Sequence, residues 1–169
     1  VIDLDELGKA NPAVKKGLTR FMLERKIGKY ELHPDSLLFA TTNLTDEGVG
    51  DMFESHQCDR LNMVEMRKPT SEEWLLYGIN KGLDANVLGF AKEFTQIFDD
   101  FRDIKRPDDN PYIFHPQAQR DAFVTPRSLE LASNIVKMRD VLDTNTLTGA
   151  LIGTIGERGA MDLMAHVSV

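Results

Sequence analysis

The stretch that decides the fold is Val1-Ile2-Asp3-Leu4-Asp5-Glu6, a mostly apolar run that ends in two adjacent carboxylates. Asn11-Pro12 follows it and supplies an N-cap and a proline at the first position of a helix. We therefore predict a buried strand whose C-terminal edge carries Asp5 and Glu6. Ligands bind at that edge of open α/β sheets, and an acidic pair there suits metal-phosphate chemistry. A solvated acidic turn is the alternative interpretation.

Three local patterns follow the opening strand. Apolar side chains at helical spacing indicate a helix over residues 12–26. Residues 27–32 have the character of a short hairpin arm, and the His-Pro-Asp sequence at 33–35 indicates a turn. Together these elements form a long crossover between the opening strand and the next apolar run.

The second core strand is predicted at residues 36–43. It is apolar almost throughout and ends in hydroxyls and an amide, which predicts burial on both faces of a parallel sheet. Strand, helix and strand then form a βαβ unit. In that unit, Asn43 would lie on the same sheet edge as Asp5 and Glu6.

The pattern changes from α/β to all-α near Pro69. Before that residue we predict a short helix at residues 51–56 and a third strand at residues 63–66. After it, Thr70-Ser71-Glu72-Glu73 is a capping box, and no strand pattern recurs. We therefore predict two domains, an α/β part at residues 1–69 and a helical bundle at residues 70–169.

The helical part is predicted to contain several helices and one exposed loop. The loop covers residues 97–111, which are rich in Asp, Arg and Pro. Thr125-Pro126 begins a helix whose apolar stripe is predicted to face the core. The stripe consists of Leu131, Ile135, Met138 and Leu142. The other predicted helices are one that ends near Gly82, one around residues 87–94, and two at residues 147–155 and 160–167.

The composition excludes several classes of protein. Hydrophobic residues make up 41% of the chain and charged residues 28%, as in globular domains, and no apolar run is long enough to span a bilayer. The net charge of −7 argues against a nucleic-acid-binding surface. A basic cluster at residues 15–29 fits a solvated helix face better than a DNA contact. The single cysteine, Cys58, forms no internal disulfide and fits a reducing cytoplasm.

Five short motifs in this order resemble the second half of an AAA+ ATPase module, and the resemblance is closest to the MoxR-like branch. It covers nearly the whole chain, most firmly residues 1–69. The fold that it implies is part of a P-loop NTPase parallel sheet followed by a C-terminal helical lid. The motifs are Leu4-Asp5-Glu6 with Ala10, Leu23-Glu24-Arg25, Phe39-Ala40-Thr41-Thr42-Asn43, Asp59-Arg60-Leu61 and Thr125-Pro126-Arg127.

The resemblance implies a role for each of five residues in the hydrolysis of ATP with Mg²⁺. Asp5 matches the Walker B residue that holds the metal, and Glu6 matches its partner that polarises the attacking water. Asn43 matches sensor 1. Arg60 matches the arginine finger that acts on a neighbouring subunit, which can be worth about 10³–10⁵ in rate. Arg127 matches sensor 2, a lid residue that touches phosphate.

Other interpretations of these residues remain open. Asn43 can end a strand in an Asx-turn. Arg60 can pair with Asp59 on the surface, and Arg127 can begin a helix without a ligand, although the positive end of the helix dipole is a poor place for an unpaired cation. Lys9 occupies a position where the MoxR-like pattern often has Arg, and this departure counts against a role in a neighbouring subunit.

The phosphate-binding sequence G-x-x-x-x-G-K-S/T is absent from the 169 residues. We therefore expect this chain to be the C-terminal portion of a longer protein and to have negligible ATPase activity alone. The complete protein is expected to form a hexameric ring and to remodel an unidentified protein partner. The alternatives are a non-catalytic interaction module derived from an AAA+ protein, and a DNA-linked motor or clamp-loader-like subunit.

Overall fold

A computed structural model of the chain describes residues 1–43 and 61–167. The chain divides into two compact units, Val1–Glu65 and Met66–Val169. The division falls a few residues before the boundary predicted after residue 69. The described part of the first unit contains strands and a helix, whereas that of the second is helical. An α/β part followed by an all-α part is therefore the observed order.

Two short parallel strands form the centre of the first unit. Strand β1 (Ile2–Leu4) pairs with β4 (Leu38–Ala40), so that Asp3 lies opposite Phe39. The predicted βαβ unit is confirmed, because helix α1 (Pro12–Glu24) lies between the two strands in the sequence.

The prediction that residues 36–43 are buried on both faces is wrong. Side chains alternate along the pleat, and the outward pair Asp3 and Phe39 is exposed, Phe39 by 41%. The opposite face, which includes Leu4 and Leu38, is half-buried. The alternation also explains the charged residue within the opening strand, because Asp3 points to the exposed face.

Helix α1 begins at a residue that the sequence makes suitable for a cap. The Asn11 side chain accepts a hydrogen bond from the Val14 N–H, and Pro12 occupies the first turn. The helix ends at Glu24, two residues earlier than predicted, because Arg25 adopts a left-handed conformation with φ of 57°. The predicted hairpin is confirmed as β2 (Lys26–Ile27) and β3 (Tyr30–Glu31), an antiparallel pair.

The Arg25 side chain ties the end of α1 to the segment that leads into β4. Its guanidinium donates hydrogen bonds to the backbone carbonyls of His33, Pro34 and Ser36, the last at 2.6 Å. This contact explains how the chain returns to the sheet after the hairpin.

Two other predictions concern the end of the first part. The predicted strand at residues 63–66 is wrong, since these residues form no strand pairing within the described part of the chain. Met63, Val64 and Met66 are 55%, 71% and 85% exposed, so their apolar side chains do not form the interior of a sheet. The predicted helix at residues 51–56 lies outside the described residues.

The first two helices of the second unit follow their sequence signals. The capping box of Thr70 and Glu73 begins α2 (Ser71–Lys81), and Gly82 ends it with a φ of 69°. Asp84 caps α3 (Ala85–Glu93), which corresponds to the helix predicted around residues 87–94. Trp74 on α2 and Phe90 on α3 both belong to the core of this unit.

Helix α4 (Pro126–Val136) begins at the predicted Thr125-Pro126 cap but buries a different face. Leu129, Ala132 and Val136 are fully buried, whereas Leu131 and Met138 of the predicted stripe are 52% and 51% exposed. That part of the stripe prediction is wrong, because the small residues Ala132 and Ser133, rather than Leu131, lie at the core side of the helix.

The last helical segment, α5 (Thr144–Val167), is interrupted at Gly156 (φ 78°, ψ 163°). The interruption separates two helical parts, as predicted from residues 147–155 and 160–167. Leu151, Ile155 and Leu163 on either side of it are buried.

The loop predicted at residues 97–111 is irregular, but it is not fully exposed. It contains short 3₁₀ turns, and Ile97, Phe98 and Asn110 are buried. The Arg120 guanidinium donates to the carbonyls of Pro107, Asn110 and Ile113, which fixes the loop to the following segment. No helix in the described ranges combines the length and the apolar character that a bilayer-spanning helix needs.

Candidate functional site

The candidate site is built around the turn that follows β1. Glu6 adopts a left-handed conformation with φ 51° and ψ 38°, and a short 3₁₀ helix, Leu7–Lys9, follows it. A non-glycine residue in this conformation costs about 1–2 kcal/mol. The turn is held against the end of β4, because Thr41 N–H donates to the Leu4 carbonyl at 3.2 Å and Leu7 N–H donates to the Thr41 carbonyl at 2.9 Å.

The Thr41 hydroxyl joins both acidic residues of the pair. It donates a hydrogen bond to Asp5 Oδ1 at 2.6 Å and accepts one from the Glu6 N–H at 3.0 Å. The parallel register explains the contact, since Leu4 lies opposite Ala40 and the next residues on the two strands are Asp5 and Thr41. The end of the parallel sheet therefore fixes one oxygen of Asp5 and the backbone of Glu6.

The carboxylate of Glu6 forms an ion pair with Lys9. The distance between Lys9 Nζ and Glu6 Oε1 is 2.6 Å, and the two side chains are 38% and 52% exposed. An exposed pair of this kind contributes about 0–1 kcal/mol to stability. The Glu6 carboxylate is therefore held loosely beside a cation and remains accessible to water.

Asn43 lies two residues beyond Thr41, on the chain that leaves β4, and it is exposed. The Thr42 hydroxyl donates to the Asn43 carbonyl at 3.4 Å. Asn43 thus follows the strand whose end carries the Asp5 contact, and its side chain is not part of the hydrogen-bonded group around Thr41.

Two arginines, Arg60 and Arg127, were also predicted for the site. Arg60 lies outside the described residues. Arg127 belongs to the second unit, where it is exposed at the second position of α4, directly after Pro126. The structure therefore brings together Asp5, Glu6 and Thr41 at the end of the parallel sheet.

The oxygen atoms at this edge are ones that Mg²⁺ accepts in proteins. Magnesium in nucleotide sites takes one or two carboxylates together with phosphate oxygens and water. Asp5 supplies a carboxylate with one oxygen fixed by Thr41, which fits a metal held in that manner. Within residues 1–43 and 61–167, no group of three or more His, Cys, Asp or Glu side chains is arranged to hold a metal by itself.

The sequence did not predict the roles of Thr41 and Lys9 in the local structure. Thr41 belongs to the Phe39–Asn43 motif, but nothing in that motif states which residue of β1 it faces. The signal that identifies it is the parallel register, which aligns Thr41 with the first carboxylate. For Lys9 the available signal is its spacing of three residues from Glu6 across a 3₁₀ turn.

A second polar cluster lies within the helical unit. Tyr112 donates its hydroxyl proton to Asp162 Oδ2 at 2.6 Å, and Arg158 Nε lies 2.8 Å from the same oxygen. Burial, together with the Asp162 carboxylate, raises the pKa of Tyr112 above its ordinary value. Tyr112 is 5% exposed and belongs to the hydrophobic core. The cluster therefore anchors the second half of α5 to the irregular segment before α4, and it is a structural contact.

Comparisons with known proteins leave the family of this chain open. No protein-family model, no curated protein and no solved structure matches it.

Proposed function

We propose that this chain is part of an AAA+ ATPase module of the MoxR-like branch, which hydrolyses ATP with Mg²⁺ in a cytoplasmic ring and remodels a protein partner. The proposal rests on the resemblance of its five motifs. Its single strongest structural support is the parallel pairing of β1 and β4, which aligns Asp5 with Thr41 at one sheet edge. Parallel α/β sheets bind ligands at that edge.

Each residue of the proposed site has a separate task. Asp5 would hold the metal through a carboxylate oxygen, and the metal supplies positive charge that stabilises the phosphates. Glu6 would take a proton from the attacking water, with its carboxylate accessible beside Lys9. Asn43 would orient that water with a neutral amide. Arg60 and Arg127 would contact phosphate oxygens, for which a planar guanidinium is suited.

The proposal requires a phosphate-binding loop that the 169 residues do not contain. The 169-residue chain alone is therefore expected to hydrolyse ATP only at the background rate. A Mg²⁺-dependent turnover of this chain clearly above background would contradict the proposed division of the site.

The decisive test uses a longer chain in which a phosphate-binding segment precedes this sequence. Glu6→Gln is expected to lower kcat about a hundredfold or more, because it removes the base and keeps the size of the side chain. Glu31→Gln is the matched control, since Glu31 is also an exposed glutamate with a cationic partner, Lys26, and it lies outside the five motifs. Equal turnover in the parent and the Glu6→Gln variant would refute the proposal.

A non-catalytic interaction module is the second candidate. The observation that favours it is the Lys9–Glu6 ion pair, because the carboxylate proposed as the base is already engaged by a cation at 2.6 Å. In that case no segment joined to the chain would produce turnover that depends on Glu6. A longer chain that binds ATP but leaves it intact, with identical behaviour of the parent and Glu6→Gln, would support this candidate.

A further inference from the structure

We propose that Thr41 is a positioning residue of the site, which holds the Asp5 carboxylate and the Glu6 backbone in the geometry that hydrolysis requires. This inference rests on the proposed function. It assigns to Thr41 a task distinct from those of Asp5, Glu6 and Asn43, and it follows from four hydrogen bonds that connect one residue to four consecutive positions of the turn.

The four bonds use every polar group of Thr41. Its N–H donates to the Leu4 carbonyl and its carbonyl accepts from Leu7 N–H, which continues the pairing of the two strands past their ends. Its hydroxyl donates to Asp5 Oδ1 and accepts from Glu6 N–H. The backbone pair is available to any residue except proline, whereas the hydroxyl pair requires Thr or Ser.

The direction of the hydroxyl bond has a chemical consequence. A carboxylate oxygen that accepts the Thr41 proton at 2.6 Å has a fixed orientation, and the remaining Asp5 oxygen is left clear of this bond. Thr41 thus orients the Asp5 carboxylate, without contacting metal or phosphate itself.

The bond to the Glu6 N–H has a different consequence. Glu6 is one of two non-glycine residues with a positive φ among the described residues. This conformation persists where the surroundings hold it, and the Thr41 hydroxyl is the acceptor for its amide. The direction in which the Glu6 side chain leaves the backbone depends on that conformation. Thr41 therefore controls the position of the proposed base.

Three variants separate the hydroxyl from the rest of the side chain. Thr41→Val keeps the branched shape and removes both hydroxyl bonds. Thr41→Ser keeps the hydroxyl and removes a methyl group. Thr42→Val is the matched control, because Thr42 is the adjacent exposed threonine and its hydroxyl contacts the Asn43 carbonyl rather than the acidic pair.

The first experiment measures amide hydrogen exchange by NMR in the 169-residue chain. In Thr41→Val, the Glu6 amide is expected to exchange about tenfold faster or more, because its acceptor is gone. The Leu7 amide, which is bonded to the Thr41 backbone, and the amides of α1 are expected to keep their rates and serve as folding controls. Thr41→Ser and Thr42→Val are expected to match the parent. An unchanged Glu6 amide in Thr41→Val would overturn the inference.

The second experiment measures steady-state kinetics in the longer chain that carries a phosphate-binding segment. Thr41→Val is expected to lower kcat about tenfold or more and to leave KM for ATP within about twofold, since Thr41 touches no substrate. Thr41→Ser is expected to restore most of kcat. A loss that Thr41→Ser does not restore, or a fall in kcat no larger than that of Thr42→Val, would overturn the positioning role.

The two proposals fail in different ways. If Glu6→Gln abolishes turnover and Thr41→Val does not lower it, the ATPase proposal stands and the role of Thr41 is refuted. If Glu6→Gln leaves turnover unchanged, the ATPase proposal is refuted, and the positioning role in hydrolysis is refuted with it.

Discussion

Replacing Gly156 by alanine is the perturbation for which the structure gives the strongest expectation. Gly156 interrupts α5 with φ 78° and ψ 163°, a combination that is essentially restricted to glycine. A Cβ at this position would lie 2.6 Å from the Ala122 carbonyl oxygen and 3.3 Å from its carbon. Both neighbours are backbone atoms, so a change of side-chain rotamer does not relieve the contact.

The expected cost has two parts. The backbone conformation alone costs an alanine about 1–3 kcal/mol relative to glycine. The contact with the Ala122 backbone adds an overpacking cost of about 1–3 kcal/mol, because either α5 or the segment before α4 must shift. We therefore expect Gly156→Ala to lower the free energy of unfolding of the second unit by about 2–6 kcal/mol.

The assay is urea unfolding monitored by the fluorescence of Trp74. This is the single tryptophan of the chain, and it is 3% exposed in the core of the second unit, so its signal reports on that unit. Gly153→Ala is the matched control, since Gly153 lies in the same helical segment and a Cβ there meets nothing within 4 Å. An alanine in a helix interior is about 1 kcal/mol more favourable than glycine, so the control is expected to be neutral or stabilising.

The two variants must therefore change stability in opposite directions, or by amounts that differ by at least about 2 kcal/mol. Equal unfolding midpoints for Gly156→Ala and Gly153→Ala would refute the argument, because they would show that α5 runs through residue 156 as an ordinary helix.

Three further variants probe the core, a cap and the ion pair of the candidate site. Phe90→Ala is expected to lower the unfolding free energy by about 3–5 kcal/mol in the same fluorescence assay, because Phe90 is fully buried. The Arg67 guanidinium and the Thr70 N–H lower the pKa of Glu73 from 4.5 to about 2, so its stabilising effect is complete above pH 4.5 and is lost as the pH falls through 2. Glu73→Gln is expected to flatten that acid dependence in a pH series of melting temperatures. Lys9→Met is expected to change the free energy of unfolding by less than about 1 kcal/mol, because the Lys9–Glu6 pair is exposed. The exchange rates of the α1 amides measure this change.

For each of these three variants, one outcome would contradict the expected effect. Leu76→Ala is the control for Phe90→Ala, since Leu76 is 64% exposed, and equal losses would contradict the assigned core. For Glu73→Gln, the control is Glu72→Gln on the adjacent exposed residue; an acid dependence that only Glu72→Gln removes would contradict the assigned cap. A loss well above 1 kcal/mol in Lys9→Met would show that the Lys9–Glu6 pair is not the exposed contact described above.

The helix N-termini could be predicted from the sequence because their signals are local. The Asn11 cap, the capping box of Thr70 and Glu73, and the Thr125-Pro126 start all depend on residues within one turn of each other. Hydrogen bonds across such short distances form in nearly the same way in any surroundings.

The buried face of α4 could not be predicted in the same manner. Leu131 and Leu129 both belong to apolar sets with helical spacing, and the larger side chains favoured the wrong set. The deciding contact comes from outside the helix, because the Ser133 hydroxyl accepts the Asp84 N–H at 2.8 Å and turns this side toward α3. A small buried polar residue gives no sign of its partner in its own sequence neighbourhood.

In the candidate site, too, the local features could be predicted from the sequence and the distant contact could not. The carboxylates of Asp5 and Glu6 were predicted, since an acidic pair at a strand end is visible locally. The role of Thr41 was not, because it depends on the register between strands that are more than thirty residues apart in the chain. Local patterns identify the chemical groups, whereas the register determines which of them touch.

The exposed face of the β1–β4 sheet separates the two candidate functions. Parallel sheets in α/β domains are normally covered on both faces, but the face that carries Phe39 also carries the Asp3 carboxylate. Burying a carboxylate without a partner is costly, so a covering element must either leave Asp3 at its rim or offer it a cation or a hydrogen-bond donor. A complete ATPase module needs such an element over Phe39, whereas a small interaction module can leave this face open. The surroundings of Asp3 in the longer chain therefore bear on the function as directly as the acidic pair does.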